Sequence, residues 1–360
     1  MPRKLLSDAR SRLLAFCQEN DSPGATLGFV LADGRTGAVA AGKTRKTGGR
    51  AMEPTDRMFS GSIGKTYVSA VLLQLAEEGR VELDEKIAHW FGEKEWFARL
   101  PNASDITLRM LLNHTTGIPR HIMTPEMQAR VRQEPQKVWR PEELIAFVLD
   151  KEPLFPVGKG WAYADTNYIL VGMIIEQVTG RTYYDELTDR ILRPLTLDET
   201  SPADRPDLPG LVSGYTSPDN IFSMPEEVAV NGRYAVNPQL EWTGGGLIGT
   251  ARDLARWAWL LYGRHVLADT SIVQLLEGVP TDETSGTSYG LGVFIRNGDL
   301  GLTLGHAGWV PGYVSQMTYY ADHGVAVAVQ VNNDVGMSRG ALRGLLDSVA
   351  GDLIRQHTAP

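Results

Sequence analysis

The chain has 360 residues, 42% of them hydrophobic and 22% charged, which excludes a disordered, collagen-like or coiled-coil protein. A chain of this length forms one large domain or two closely packed domains and can bury about 75% of its unfolded surface. The 35 Lys and Arg residues against 43 Asp and Glu leave a net charge of −8. Because these charges are scattered along the chain, no nucleic-acid partner is predicted.

The single cysteine, Cys17, excludes an intrachain disulfide and a cysteine-rich zinc site, and its amphipathic surroundings favour a small core residue. Residues 1–12 lack the apolar stretch of a signal peptide, and no eighteen apolar residues run together. If this is the natural chain, we expect a cytoplasmic protein with no membrane partner. No two histidines have the spacing of a zinc site, so no metal and no cofactor are predicted.

The first sixty residues predict a helix over 5–16 and a β-hairpin of strands 25–31 and 36–41, with a turn at Asp33-Gly34. From residue 62 to about 235 the pattern is helical, with Pro- and Gly-rich loops and no strand signal. The helices predicted in this block cover 67–78, 108–112, 141–149, 167–179 and 182–191.

A further helix is predicted over 250–262, with Thr250 as N-cap and Asp253 favouring the positive helix start. The chain then returns to strand patterns before a last helix over 338–354. The strands predicted here cover 289–295, 302–304, 313–320 and 325–331.

These elements predict an α/β (α+β) fold in which both ends of the chain contribute to one antiparallel sheet flanked by helices. We expect a sheet domain of residues 1–60 and 245–360 and an all-helical domain of residues 61–244. A functional site is expected at the interface of the two domains.

Residues 59–66 read Phe-Ser-Gly-Ser-Ile-Gly-Lys-Thr and lead into a strongly apolar helix. Two motifs compete for this segment. A phosphate-binding P-loop ends in Gly-Lys-Thr, but it requires glycine at position 59 and a hydrophobic strand before the loop. Position 59 is Phe and residues 52–58 are polar with a proline, so the P-loop is disfavoured.

The other motif is Ser-x-x-Lys, formed by Ser62 and Lys65. A spacing of three at a helix start puts the hydroxyl and the amine on one face of the first turn. A serine hydroxyl becomes a good nucleophile only when a base removes its proton, and a desolvated lysine with a depressed pKa can assist. On its own the motif is weak, because an N-cap serine followed by a lysine is common.

Two later segments supply further elements. Residues 156–168 contain Tyr163-Ala164-Asp165 just before a helix, and residues 304–312 contain His306-Ala307-Gly308 at the end of a strand. With Ser-x-x-Lys, these elements resemble, in order, the Ser-x-x-Lys, Tyr-x-Asn and Lys- or His-x-Gly elements of the serine β-lactamase and penicillin-recognising enzyme superfamily. The likeness is to its class C-like branch, which includes DD-peptidases, D-amino-acid amidases, aminopeptidases and family VIII carboxylesterases, and it spans nearly the whole chain.

The resemblance implies the β-lactamase/DD-peptidase-like fold and a set of residue roles. Ser62 would be the acylated nucleophile, with Lys65 and Tyr163 sharing proton transfer; which of them deprotonates the serine stays open. An ammonium at Lys65 would favour the phenolate of Tyr163. The oxyanion hole would be the backbone N–H groups of Ser62 and Trp309, with Gly308 before the latter.

Two positions depart from the family pattern. Asp165 stands where asparagine is common, and an ionised Asp only accepts hydrogen bonds. It is expected either to pair with Lys65 or to favour a substrate carrying an ammonium group. His306 stands in place of lysine, which makes the charge there pH-dependent near 6.5 and weakens a carboxylate anchor. Asp165, His306, Gly308 and Trp309 are the predicted substrate-binding residues.

Other conspicuous residues receive structural interpretations. His114 is predicted to be buried and hydrogen-bonded, and the 244–246 glycine run to serve a tight backbone turn. Four apolar residues could line a substrate pocket or simply pack in the core. They are Ile118, Trp161, Trp242 and Tyr313.

The resemblance implies a serine hydrolase with a small-molecule ester or amide substrate. The first prediction is hydrolysis of small carboxylic esters. The alternative is a D-amino-acid amidase, D-aminopeptidase or DD-carboxypeptidase with weak β-lactamase activity. A third hypothesis is a non-catalytic binding or sensor protein of this fold, since fold does not fix function. The oligomeric state is not predicted.

Overall fold

The computed structural model describes residues 3–282 and 284–357. Its β-strands form an eight-stranded sheet, a three-stranded sheet and a two-stranded sheet, and all the strand pairs are antiparallel. The strands are β1 (Gly24–Val30), β2 (Thr36–Gly42), β3 (Met58–Phe59), β4 (Ser201–Pro202), β5 (Ala229–Val230), β6 (Arg233–Tyr234), β7 (Leu247–Gly249), β8 (Val279–Pro280), β9 (Ser288–Tyr289), β10 (Phe294–Gly298), β11 (Gly301–Val310), β12 (Tyr313–Tyr320) and β13 (Val325–Val331).

The helices include long ones near both ends of the chain and a group of mostly short ones between them. They are α1 (Arg3–Glu19), α2 (Gly64–Glu77), α3 (Ala88–Phe91), α4 (Leu108–Asn113), α5 (Pro125–Gln133), α6 (Pro141–Ile145), α7 (Asp165–Thr179), α8 (Tyr183–Leu187), α9 (Ala251–Tyr262), α10 (Asp269–Leu275) and α11 (Arg339–His357). None of these helices combines the length and the apolarity needed to cross a membrane.

The large sheet joins the two ends of the chain. Its order is β2-β1-β13-β12-β11-β10-β9-β8, and β1 pairs with β13 so that Leu27 lies opposite Val329. A strand from the first thirty residues therefore hydrogen-bonds to one from the last forty. This confirms the predicted sheet built from both termini.

The two faces of the sheet are covered by different helices. In β13, Val327 and Val329 pack with the helices α1 and α11, whereas Ala326 and Ala328 belong to the core on the face of α9. This alternation follows from the period of two along a strand. The residues under α9 are small because the helix lies close to the sheet: a side chain on Gly28 would overlap the backbone of Ala251.

Most predicted elements are confirmed, including the strands 313–320 and 325–331. Thr250 caps α9, its hydroxyl accepting a hydrogen bond of 3.2 Å from the Asp253 amide. Two predictions were wrong. The single strand 289–295 is broken into β9 and β10 around Gly292, which has φ +87°, and the helical block also contains short strands. Those strands, β4 to β6, are two residues long, too short to show a period in the sequence.

The helices α2 to α8 form the body beside the sheet, and the candidate site lies next to the point where β11 contacts the turn before α2. The division into residues 1–60 plus 245–360 and 61–244 stays a prediction. Cys17 is buried, as expected for a core residue, and burial raises the pKa of its thiol to about 12.

Candidate active site

Ser62 lies in a single 3-10 turn, Gly61–Ile63, that leads directly into α2. The side chains of Ser62 and Lys65 meet on one face of this turn, with Lys65 Nζ donating to Ser62 Oγ at 3.2 Å. The predicted juxtaposition of hydroxyl and amine is therefore present. Lys65 is fully buried whereas Ser62 is half-buried, so the hydroxyl faces the cavity and the amine lies beneath it.

Lys65 is held by three acceptors. Besides Ser62, its ammonium donates to Asp165 Oδ1 at 2.7 Å and to the carbonyl oxygen of Gly244. Burial alone would lower the pKa of Lys65, but the charge of Asp165 and the nearby Tyr163 outweigh it and raise that pKa above its ordinary value. This direction is the one expected if Asp165 pairs with Lys65, because the carboxylate at position 165 stabilises the charged form, and it differs from the depressed pKa by which a lysine can activate a serine.

Asp165 is shared between two cations. Its Oδ2 accepts from Arg120 Nε at 3.0 Å and from an Arg120 terminal nitrogen at 2.7 Å, while Oδ1 accepts from Lys65. Burial opposes the ionised form, but Lys65 and Arg120 hold the pKa of Asp165 well below its usual range. Of the two expectations for Asp165, the structure shows pairing with Lys65. Three of its roughly four acceptor positions are occupied by Lys65 and Arg120, and these two cations already balance its charge, so Asp165 is a poor site for a substrate ammonium.

Tyr163 lies above the lysine. Lys65 Nζ is 4.9 Å from the centre of the Tyr163 ring, and His114 packs on that ring with centroids 4.4 Å apart. Tyr163 Oη is buried and makes no hydrogen bond among the described residues. Burial raises the pKa of Tyr163, and the opposing effect of Lys65 does not cancel it. The expected phenolate is therefore not the resting form; the pair rests as ammonium and phenol.

His306 lines the same cavity but differs from the expected ionisable anchor. It is buried, its Nε2 lies 2.9 Å from Tyr289 Oη, and its Nδ1 lies 2.7 Å from the carbonyl oxygen of Ala307. Burial, together with the charge of Lys65, lowers the pKa of His306 to about 3. The expectation of a charge that changes near pH 6.5 was wrong, because a cation is destabilised in this desolvated position.

Gly308 and Trp309 bring β11 against the nucleophile turn. A side chain on Gly308 would overlap the carbonyl oxygen of Ser60, and a Cβ on Gly61 would lie 2.6 Å from the Trp309 backbone nitrogen. Gly61 has φ +53°, a conformation that favours glycine. The backbone of Trp309 is thus packed on the turn that carries Ser62, and its indole Nε1 donates to Asp334 Oδ2 at 2.9 Å.

The glycine run 244–246 fits the predicted tight turn. Gly245 has φ +154°, and a Cβ there would lie 2.6 Å from the carbonyl of Gly61. The Gly244 carbonyl accepts from Lys65, so the run also holds the lysine. His114 is buried, as predicted, and its Nδ1 accepts from the Ala164 amide at 3.3 Å.

These residues surround one cavity of about 660 Å³, a size typical of small-molecule sites. Ser62, Tyr163, Asp165, His306 and Trp309 line it. Of the four apolar candidates, Trp161 lines it as well, whereas Ile118, Trp242 and Tyr313 are buried in the core. The described residues contain no group of three His, Cys, Asp or Glu side chains that could hold a metal.

Two charged residues of the cavity have no motif in the sequence that indicates them. Arg120 lies in the loop after α4. Its side chain hydrogen-bonds to Asp165, which is 45 positions further along the chain. Glu241 precedes the glycine run and lines the cavity beside Asp165 and Arg120.

The buried, ion-paired position of Lys65 also excludes the P-loop, because a P-loop lysine must reach phosphates in an open cradle. A model of the β-lactamase family matches residues 15–351. The chain belongs to the β-lactamase family. Its antiparallel sheet and helices are those of the β-lactamase-like fold, as predicted.

This β-lactamase family protein is similar in sequence to a D-aminopeptidase and to a penicillin-binding protein. D-aminopeptidase of Cereibacter sphaeroides strain KD131 is 28% identical over 351 residues, covering 94% of this chain and 61% of the relative. Penicillin-binding protein 4* of Bacillus subtilis is 24% identical over 284 residues, covering 75% of this chain and 59% of the relative. The chain thus spans about three fifths of the length of these two proteins.

Solved structures also resemble this family member. A D-stereospecific amidohydrolase from Streptomyces sp. has a TM-score of 0.81 and 29% identity, with 95% of this chain and 98% of that chain covered. The D-amino acid amidase of Ochrobactrum anthropi SV3 bound to D-phenylalanine has a TM-score of 0.82, with 99% and 100% covered. At 23% identity, the latter likeness is evidence of the fold alone.

Proposed function

We propose that this β-lactamase family enzyme hydrolyses amide or peptide bonds of small substrates whose acyl unit is a D-amino acid. The proposal is carried by the contact between Ser62 Oγ and Lys65 Nζ at the wall of a cavity of about 660 Å³. The D-stereospecific amidohydrolase of Streptomyces, which aligns over nearly its whole length, and the D-aminopeptidase relative support this choice. They favour the amide alternative over the small esters that stood first in the sequence-based prediction.

In the proposed acylation, Ser62 Oγ attacks the substrate carbonyl carbon and loses its proton to Tyr163 Oη. This requires the phenolate of Tyr163, which the Lys65 ammonium beside it stabilises. The carbonyl oxygen takes up the developing negative charge next to the backbone N–H groups of Ser62 and Trp309, each worth about 3 kcal/mol. Tyr163 then donates the proton to the leaving nitrogen as the C–N bond breaks, and the amine departs.

In the proposed deacylation, a water molecule attacks the acyl carbon and gives its proton to Tyr163. The bond from the acyl carbon to Ser62 Oγ breaks, and the proton returns to that oxygen. The acid product leaves and the site regains its starting protonation. The two half-reactions predict ping-pong kinetics.

The experiment compares four chromogenic substrates: D-alanine p-nitroanilide, L-alanine p-nitroanilide, p-nitrophenyl butyrate and a cephalosporin. Ser62→Ala, prepared in parallel, provides the blank. We expect kcat/KM for the D-anilide to exceed that for the L-anilide by about tenfold or more, since stereoselectivity arises from differential transition-state binding.

Each other outcome would overturn the proposal in favour of a defined alternative. Ser62-dependent hydrolysis of the butyrate ester without hydrolysis of either anilide would indicate an esterase. Preferred hydrolysis of the cephalosporin would indicate a β-lactamase. No Ser62-dependent turnover of any of the four would indicate a binding or sensor protein.

A further inference from the structure

The carboxylate of Glu241 is left unpaired at the candidate active site. The described carboxylates that line the catalytic cavity are those of Asp165, Glu241 and Asp282. Asp165 is shared by Lys65 and Arg120, and Asp282 accepts from Thr284 and from the backbone amide of Ser285. The Glu241 carboxylate makes no hydrogen bond or ion pair with any described residue.

Glu241 lines the same cavity as Ser62 and directly precedes the short 3-10 turn Trp242–Gly244. A Cβ built on Gly244 would lie 3.7 Å from Glu241 Oε2 and 3.6 Å from Asp165 Cβ. The carbonyl of the same Gly244 accepts from Lys65. The free carboxylate and the Lys65–Asp165 pair therefore flank one glycine, and the absence of a side chain there leaves space between them.

The charges around Glu241 explain why it stays unpaired. The charged groups that face it are Asp165, Lys65 and Arg120, and the phenols of Tyr184 and Tyr234 lie nearby. Arg120 donates to Asp165, and Lys65 donates to Asp165, Ser62 and the Gly244 carbonyl, so neither cation hydrogen-bonds to Glu241. Burial and the charge of Asp165 raise the pKa of Glu241 to about 7. Glu241 is half-buried; a carboxylate partly withdrawn from water without a partner is unfavourable, and a cationic ligand would relieve that cost.

We propose that Glu241 binds the free α-ammonium group of the substrate's acyl unit and so selects substrates with an unblocked amino terminus. The proposal rests on the proposed function, in which that acyl unit is an amino acid. The α-ammonium is one carbon away from the scissile carbonyl, so it must lie close to Ser62 in the productive complex. Glu241 is the described carboxylate at this end of the cavity with free acceptor capacity.

The test measures how strongly the enzyme prefers an ammonium group. D-alanine p-nitroanilide and propionyl p-nitroanilide differ only in that the ammonium is replaced by hydrogen. We expect Glu241→Gln to lower the ratio of their kcat/KM values by about 10- to 100-fold, since a charge-assisted hydrogen bond contributes about 1.5–3 kcal/mol. The ratio cancels any effect of the variant that the two substrates share, and Glu241→Asp should recover part of it.

Glu226→Gln is the matched control. Glu226 is exposed and paired with Lys46, and it does not line the catalytic cavity. This variant should leave the ratio unchanged. A folded Glu241→Gln variant whose ratio equals that of the wild type would overturn the proposal.

The pH dependence gives a second readout that a structural role would not produce. Below about pH 7 Glu241 takes up a proton, so kcat/KM for the ammonium substrate should fall by more than that for the propionyl substrate. Glu241→Gln should remove this difference. A difference that persists in the variant would assign the effect to another group.

The failure of this proposal is distinguishable from the failure of the proposed function. If neither anilide is hydrolysed, the amidase proposal fails. The preference for an ammonium group can then be measured on esters, as the ratio of kcat/KM for D-alanine methyl ester to kcat/KM for methyl propionate. If no substrate turns over, the role of Glu241 can be tested by binding. Calorimetry then compares the affinity of D-alaninamide for Ser62→Ala with its affinity for the double variant Ser62→Ala/Glu241→Gln. Equal affinities of the two variants would overturn the role of Glu241.

Discussion

The Lys65 ammonium lies 2.7 Å from Asp165 Oδ1 and only 3.2 Å from Ser62 Oγ. The group nearest the nucleophile is thus paired with a full negative charge instead of the neutral amide that is common in the family. Since Arg120 hydrogen-bonds to the other oxygen of Asp165, three charged side chains form one network, in which Lys65 and Asp165 are buried and Arg120 is partly exposed. The pKa of Lys65 and that of Tyr163 both lie above their ordinary values, so the form able to deprotonate Ser62 is a minor one at neutral pH.

Asp165→Asn should therefore shift the activity profile to lower pH. The charge of Asp165 raises the pKa of both Lys65 and Tyr163. Without this charge, the positive charge of Arg120 is no longer neutralised and lowers both pKa values further. We expect the ascending limb of log kcat/KM to move down by about one pH unit, in line with the effect of one close charge. The measurement uses p-nitrophenyl butyrate, which has no ionisable group, over pH 5.5–10. A limb that stays in place or moves up would contradict the proposed proton transfer.

Tyr163→Phe should reduce kcat/KM by about 10²- to 10⁴-fold, the usual contribution of a general acid and base. The ring would remain in contact with His114, so little stability should be lost. Tyr262→Phe is the matched control, because the hydroxyl of Tyr262 is also buried without a hydrogen bond but does not line the cavity. In steady-state kinetics, the kcat/KM values of the two variants should differ by at least about 100-fold. Equal activities would show that the Tyr163 hydroxyl does not take part.

Gly308→Ala should harm both stability and activity. The new methyl group would overlap the carbonyl oxygen of Ser60 and push β11 away from the nucleophile turn. Overpacking of this kind costs about 1–3 kcal/mol, and a displaced Trp309 N–H should lower kcat about 10-fold or more. Gly298→Ala, on the adjacent strand, has no atom within 4 Å of the added Cβ. Urea unfolding of this control should stay within about 0.5 kcal/mol of the wild type.

His306 should remain neutral throughout the range in which the enzyme is assayed. Because the pKa of the folded state is about 3 and that of an unfolded histidine about 6.5, the unfolded state binds more protons between these values. The contribution of His306 to stability is then complete above pH 6.5 and is lost as the pH falls toward 3. NMR titration of the ring signals, assigned with His306→Gln, should show no inflection between pH 5 and 8. An inflection near pH 6.5 would show that His306 does become charged in the assay range, as first expected for an ionisable anchor.

The strands of the last sixty residues show how far local patterns determine the fold. Residues 313–320 are rich in aromatic and β-branched residues, residues 325–331 have valine at every second position, and both strands lie where they were predicted. The break at Gly292 and the two-residue strands β4 to β6 were missed, because their conformation depends on packing partners far away in the sequence. Gly292, for example, lies where an added Cβ would meet the hydroxyl of Tyr168 at 2.8 Å.

The sequence by itself determined the identity of the candidate nucleophile and its neighbours, since Ser62 and Lys65 are three residues apart and must share one face of a helical turn. Tertiary structure alone decided their charge states. Arg120, Asp165 and Glu241 meet Lys65 only because α2, α7 and the 241–246 segment converge on one cavity. A pKa depends on burial and on charges within a few ångströms, and neither can be read along a chain in which Lys65 and Asp165 are 100 positions apart.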